Sequence, residues 1–162
     1  MIIISDTSPI TSLLAVDSVH LLQDLYNIVA IPEGVKQELL RVESRRLEIE
    51  KLLSEDWLQV KPFTDQELFN KISTDLDQGE SEAITLGLEL HADLILIDET
   101  KGRSVAKAYG LKVTGLLGVL MEAKSKKLIS SVKELLDALV EKAGFYVKRD
   151  LYDSVLKAAD EY

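Results

Sequence analysis

The chain opens on an apolar, β-branched run, Met1-Ile2-Ile3-Ile4-Ser5, which reads as a buried strand. Ser8-Pro9 follows, and Ser as N-cap with Pro at the first helical position is a helix-start signal. That helix carries Ile10, Leu13 and Leu14 inward, and Leu21, Leu22 and Leu25 belong to a second helical stretch. Ile28-Val29-Ala30-Ile31 predicts a second strand, closed by Pro32. A longer helix is expected from about Glu33 to Leu53, then a short strand at Trp57-Leu58-Gln59-Val60. Thr64-Asp65-Gln66-Glu67 has the form of a capping box and opens another helix. Gly79 to Leu90 is helical. Leu94-Ile95-Leu96-Ile97 is a buried strand ended by Asp98. Arg103 to Tyr109 is helical and stopped by Gly110, Lys112-Val113 forms a fifth strand, and the chain from about Leu116 is mostly helical.

Strands alternate with helices along the first two-thirds of the chain. That order predicts an α/β fold: a three-layer α/β/α sandwich on a central parallel sheet of about five strands. No repeat, low-complexity tract or linker interrupts it, so one domain over residues 1–162 is expected. Its helical part, about 120–162, packs on the domain or on a partner. In such sheets functional groups sit just beyond the carboxyl ends of strands. Asp6 and Asp98 both hold that position.

Composition narrows the chemistry. A hydrophobic fraction of 46% suits a globular core. No run approaches the ~18 apolar residues of a membrane span, and the N-terminus has no signal-peptide pattern. A cytoplasmic protein is the expectation. There is no cysteine and there are two histidines, His20 and His91, so any metal would be a hard cation held by oxygen. The net charge of −9 argues against a simple nucleic-acid binding module. It leaves a nuclease open, since a metal site needs carboxylates and basic residues can act locally.

Four acids stand where acids are unexpected. Asp6 follows the first strand, and Ser8 is available to cap the helix in its place. Glu38 lies on the helical stripe of Val35, Leu39 and Val42, where a carboxylate is partly desolvated unless something binds it; the plainer reading is a stripe-edge residue reaching to water. Glu80 and Glu82 compete for one role, because they lie about 200° apart on a helix. Ala83, Ile84 and Gly87 place the buried face near Glu80, and Glu82 is expected to point away. Asp98 ends the strongest strand, although a cap or turn role also suits it. Glu99 beside it is a peripheral candidate. Such carboxylates repel one another in one pocket, so either some protonate or a cation neutralises them. Mg²⁺ or Mn²⁺ is the natural occupant, able to activate water and stabilise a phosphate.

These blocks, in this order, resemble the PIN-domain family: Ser5-Asp6-Thr7-Ser8 after the first strand, Ile31-Pro32 followed by Val35, Glu38 and Leu39, then Gly79-Glu80-Ser81-Glu82-Ala83-Ile84, and Ile97-Asp98. The resemblance spans roughly residues 1 to 120. With Asp98-Glu99-Thr100-Lys101-Gly102-Arg103 it looks like the prokaryotic VapC-like branch. The resemblance implies a parallel sheet flanked by helices and a three- or four-acid site for Mg²⁺ or Mn²⁺. It also implies cleavage of RNA, often by a homodimer, and in many members a toxin held inactive by an antitoxin protein. Asp6, Glu38 and Asp98 carry over cleanly; the remaining acid is shared between Glu80 and Glu82. Ser8 falls where the family often has a small polar residue near the metal.

Arg103 is the candidate guide for a phosphate backbone, ahead of Lys36, Arg41, Arg45, Arg46, Lys101 and Lys107, which read as solvated helix faces. Tyr152, Tyr162 and Trp57 suit base stacking, although packing is the commoner use. Two other readings stand beside the nuclease: a receiver-like Mg²⁺-binding signalling domain and a catalytically inactive PIN-like interaction domain. Asp6 is followed by Thr7 rather than by the second acid a receiver usually carries.

Overall fold

The computed structural model describes residues 1–162. Five short runs form one sheet: β1 (Ile3–Ser5), β2 (Val29–Ile31), β3 (Leu58–Val60), β4 (Leu94–Leu96) and β5 (Val113–Thr114). Their spatial order is β3-β2-β1-β4-β5, and every pairing is parallel. Central strands of a parallel sheet are covered on both faces, so successive residues serve two different cores. Ile3, Val29, Ile31 and Leu96 enter the larger core. Ile4, Ala30, Ile95 and Ile97 enter the smaller one.

The helices divide accordingly. Helices α1 (Thr7–Ala15), α2 (Leu21–Tyr26), α3 (Glu33–Leu40) and α4 (Arg46–Leu53) send apolar residues into the larger core, as do α8 (Leu116–Ser125), α9 (Val132–Ala143) and α10 (Arg149–Ala158). Helices α5 (Gln66–Ile72), α6 (Gln78–Glu89) and α7 (Thr100–Ala108) cover the opposite face. The result is a three-layer α/β/α fold. α9 packs on α1 and α8. No helix is long and apolar enough to cross a membrane.

Strand order locates the functional edge. The chain runs outward from β1 to β3, then returns through α5 and α6 to place β4 on the other side of β1. The order reverses between β1 and β4, and the crevice at such a switch point is where open α/β sheets bind ligands. A receiver domain has the order 2-1-3-4-5, so the observed order removes that alternative.

Three local expectations differ from the structure. The long helix from Glu33 is two helices, broken at Val42, whose backbone is non-helical at φ −80° and ψ 84°, and by a 3₁₀ turn over Glu43–Arg45. Arg45 and Arg46 hold this corner by donating to the carbonyls of Leu14 and Leu40. Ser8 is not the N-cap of the first helix: α1 begins at Thr7 with Asp6 in the flanking position. The helix after Thr64 is capped instead by Asp65, whose carboxylate accepts from the Leu68 N–H at 3.0 Å.

Candidate active site

Asp6 is the first residue beyond β1. Its N–H donates to the Leu96 carbonyl at 2.9 Å, so the sheet ladder fixes its position to the end. Its backbone is extended and its side chain makes no cap bond to α1. The carboxylate is therefore committed to the crevice, where the residue is only 4% exposed. Burial disfavours its charged form most, and Asp77, Glu38 and Glu99 add repulsion. The Thr7 N–H offsets part of this, and the Asp6 pKa stands at about 7.

Glu80 comes to the same place from α6. The Asp77 carboxylate caps this helix by accepting the Glu80 N–H at 2.8 Å, which holds its first turn over the crevice. Glu80 is also 4% exposed. Burial, then the charges of Asp77, Asp6 and Glu99, push its pKa to about 8. Its Oε2 is buried with no hydrogen-bond partner. A buried, unpaired carboxylate oxygen is costly and rare in a native fold, and it marks where a ligand is wanted.

Glu82 overturns the expectation of a single inward face on α6. It is as buried as Glu80, because α6 is enclosed by α3, α5 and the sheet. The two glutamates face different neighbours. Glu82 accepts from the Gly34 N–H at 3.0 Å and from Gln78 Nε2 at 2.8 Å, so it caps the start of α3. Glu38 is half-buried on α3, accepting from Thr7 Oγ1 and from the Gly79 N–H. It thereby ties together the starts of α1 and α6 beside Asp6.

Asp98 lies to one side of this group. Its Oδ1 accepts from the Leu116 N–H at 2.7 Å, while Oδ2 is buried and unpartnered. Burial raises its pKa, and the Leu116 N–H and Arg103 oppose the rise. Arg103 donates to the Ile97 carbonyl at 3.0 Å and sits next to it. Glu99 is exposed and repels Asp6, Glu80 and Asp98 alike. Ser8 is half-buried in the first turn of α1, its carbonyl accepting from Thr11 Oγ1.

Four of these carboxylates share a feature that sequence reasoning missed. Each lies against a glycine, where a Cβ would collide with it: Glu82 against Gly34, Glu38 against Gly79, Glu80 against Gly102 and Asp98 against Gly115. Asp77 was missed as well. It lies three residues before Glu80, and the N-cap spacing of an acid before a helical Gly-Glu was the available signal.

No three acids are close enough to enclose an ion by themselves. The donor set nevertheless fits a hard cation. Mg²⁺ takes oxygen ligands, keeps several waters and is usually held by one or two carboxylates plus substrate phosphate. Asp6 and Glu80 supply two such carboxylates with a free oxygen between buried walls; burial first, and then repulsion from neighbouring acids, raises both pKa values, and a bound cation would offset that cost.

The chain matches a family model described as a PIN domain over residues 2–161. Among solved structures it is similar to a PilT N-terminus domain protein from the hyperthermophilic archaeon Sulfolobus solfataricus. Identity there is 18% and the TM-score 0.52, with 92% of this chain and 99% of that chain covered. At that identity the likeness is one of fold. No curated protein matches the sequence.

Proposed function

The chain belongs to the PIN-domain family, whose members are generally nucleases, and on that premise we propose that it is a Mg²⁺- or Mn²⁺-dependent endoribonuclease. The observation that carries this reading is the Asp6–Glu80 pair at the switch point: two buried, mutually repelling carboxylates, one with an unpartnered oxygen. Asp6 and Glu80 would hold the ion, which supplies an activated water and neutralises charge on the scissile phosphate. Glu38 holds the starts of α1 and α6 in register around the pair. Arg103, beside Asp98, would receive a phosphate. The VapC-like resemblance extends the proposal to a homodimer restrained by an antitoxin protein.

The test is cleavage of RNA with added Mn²⁺ or Mg²⁺, against Asp6→Asn. Wild-type cleavage that stops on chelation and is lost in Asp6→Asn supports the reading. Metal-independent cleavage, or full activity in the variant, refutes it.

A further inference from the structure

A cavity of about 380 Å³ adjoins the acids at the end of β4, within the ~300–1,000 Å³ typical of ligand sites. Asp98, Arg103 and Gly115 form one wall; Phe145, Tyr146 and Leu151 form the other. The second wall is built by the turn between α9 and α10 and by the first turn of α10. Gly144 ends α9 in the left-handed conformation, at φ +67°, and turns the chain back. Phe145 and Val147 then pack on the larger core, and the Phe145 N–H donates to the Leu139 carbonyl. Anchored on both sides, Tyr146 is left outside, 79% exposed.

The aromatics named from sequence do not stand here. Trp57 is buried and donates to Glu55, Tyr152 donates to Asp137, and the Lys157 ammonium lies over the ring of Tyr162. Tyr146 is an exposed ring lining the same cavity as the Arg103 guanidinium, which donates one hydrogen bond, to the Ile97 carbonyl, and has further N–H donors.

We propose that this cavity is a nucleotide subsite: Tyr146 stacks on one unpaired base of the RNA while Arg103 receives its phosphate, next to the Asp98 end of the cleavage site. This rests on the nuclease reading and adds to it a stacking position, Tyr146, that only an unpaired nucleotide beside the cleaved bond could occupy. An aromatic face accepts a base without reading its edge and cannot reach one stacked inside a duplex. Arg103 is the one basic residue lining this cavity, a local donor through which a chain of net charge −9 would meet a phosphate.

The test is anisotropy of a short labelled single-stranded RNA with the full chain under chelation, so that nothing is cut. Tyr146→Ala weakens Kd by about 10-fold, ~1.4 kcal/mol, as expected for one stacked base, and Tyr146→Phe restores it. A duplex of the same sequence responds to neither change. In Mn²⁺-supported cleavage, Tyr146→Ala raises KM and spares kcat. Equal Kd for wild type and Tyr146→Ala, an equal loss on duplex, or no RNA binding at all overturns the subsite; the first of these would leave the exposed ring to a protein partner. Failure of the nuclease reading shows separately, as wild-type RNA binding without cleavage.

Discussion

At the carboxyl edge of the sheet, Glu80 lies buried beside Asp6 and Asp77 with one oxygen unpartnered and a pKa of about 8. Near the C-terminus, Glu161 accepts from Lys124 Nζ at 3.0 Å, Ser131 Oγ at 2.8 Å, and the N–H groups of Val132 at 2.7 Å and Lys133 at 3.0 Å. Burial pushes Glu161 upward too, but these donors outweigh it and bring its pKa to about 2. The difference is supply of donors. The start of α9 has free N–H groups and receives a carboxylate from elsewhere. The start of α6 is already served by Asp77, so Glu80 finds only other acids. One region lowers the free energy of the fold; the other raises it, a cost that the proposed cation would offset.

Glu80→Gln is expected to have the largest effect. Loss of a metal-holding carboxylate should slow cleavage by ~10²-fold or more, ~2.7 kcal/mol, while the metal-free protein melts no lower than wild type. The pH dependence follows from the raised values. Asp6 and Glu80 favour the metal-free fold when protonated, so its stability falls as pH rises from about 4 through 7 to 8. Glu80→Gln should flatten that fall in a melting series. A variant that unfolds would instead make Glu80 structural.

Glu161→Gln should do the reverse. Weakening several bonds to a charged acceptor costs about 2 kcal/mol, with cleavage unchanged. Its lowered pKa contributes stability above about 4.5, lost as pH falls toward 2. Urea titrations at neutral and acid pH would show the variant's deficit shrinking in acid; a constant deficit would sink the assignment.

The smallest expected effect sharpens the contrast within one helix. Glu82→Gln keeps the shape but weakens the cap on Gly34, a loss of about 1 kcal/mol, and should leave metal-induced stabilisation intact. A dead Glu82→Gln enzyme would exchange the roles of the two glutamates.

The layers and the strand-end acids were legible because they depend on local pattern. Short apolar runs mark β1, β2 and β4; Asp6 follows β1 directly and Asp98 lies two residues past the end of β4. Features that depend on neighbours from distant segments were not legible. Helical periodicity gave Glu82 an outward face because it cannot see α3 and α5 closing over α6. The break at Val42 depends on Arg45 and Arg46 reaching carbonyls in other turns. The glycines in the Gly79-Glu80 and Gly102-Arg103 stretches were visible as motif letters. Their reason, room for Glu38 and Glu80, exists only once the helices dock.

β1 precedes the other four strands of the sheet in the chain, yet it ends in the middle of that sheet, with Ile3 paired to Leu94. Synthesis at roughly 5–20 residues per second leaves Asp6 without its companions for several seconds. On the proposed reading, a nascent chain carries no assembled acid site until α6 and β4 have emerged, so the order of translation would delay any RNA cleavage until the sheet has closed. We expect chains stalled at Leu90 to leave RNA intact with Mn²⁺ present; cutting by such a chain would mean that the catalytic unit is smaller than the β1–β4 pairing.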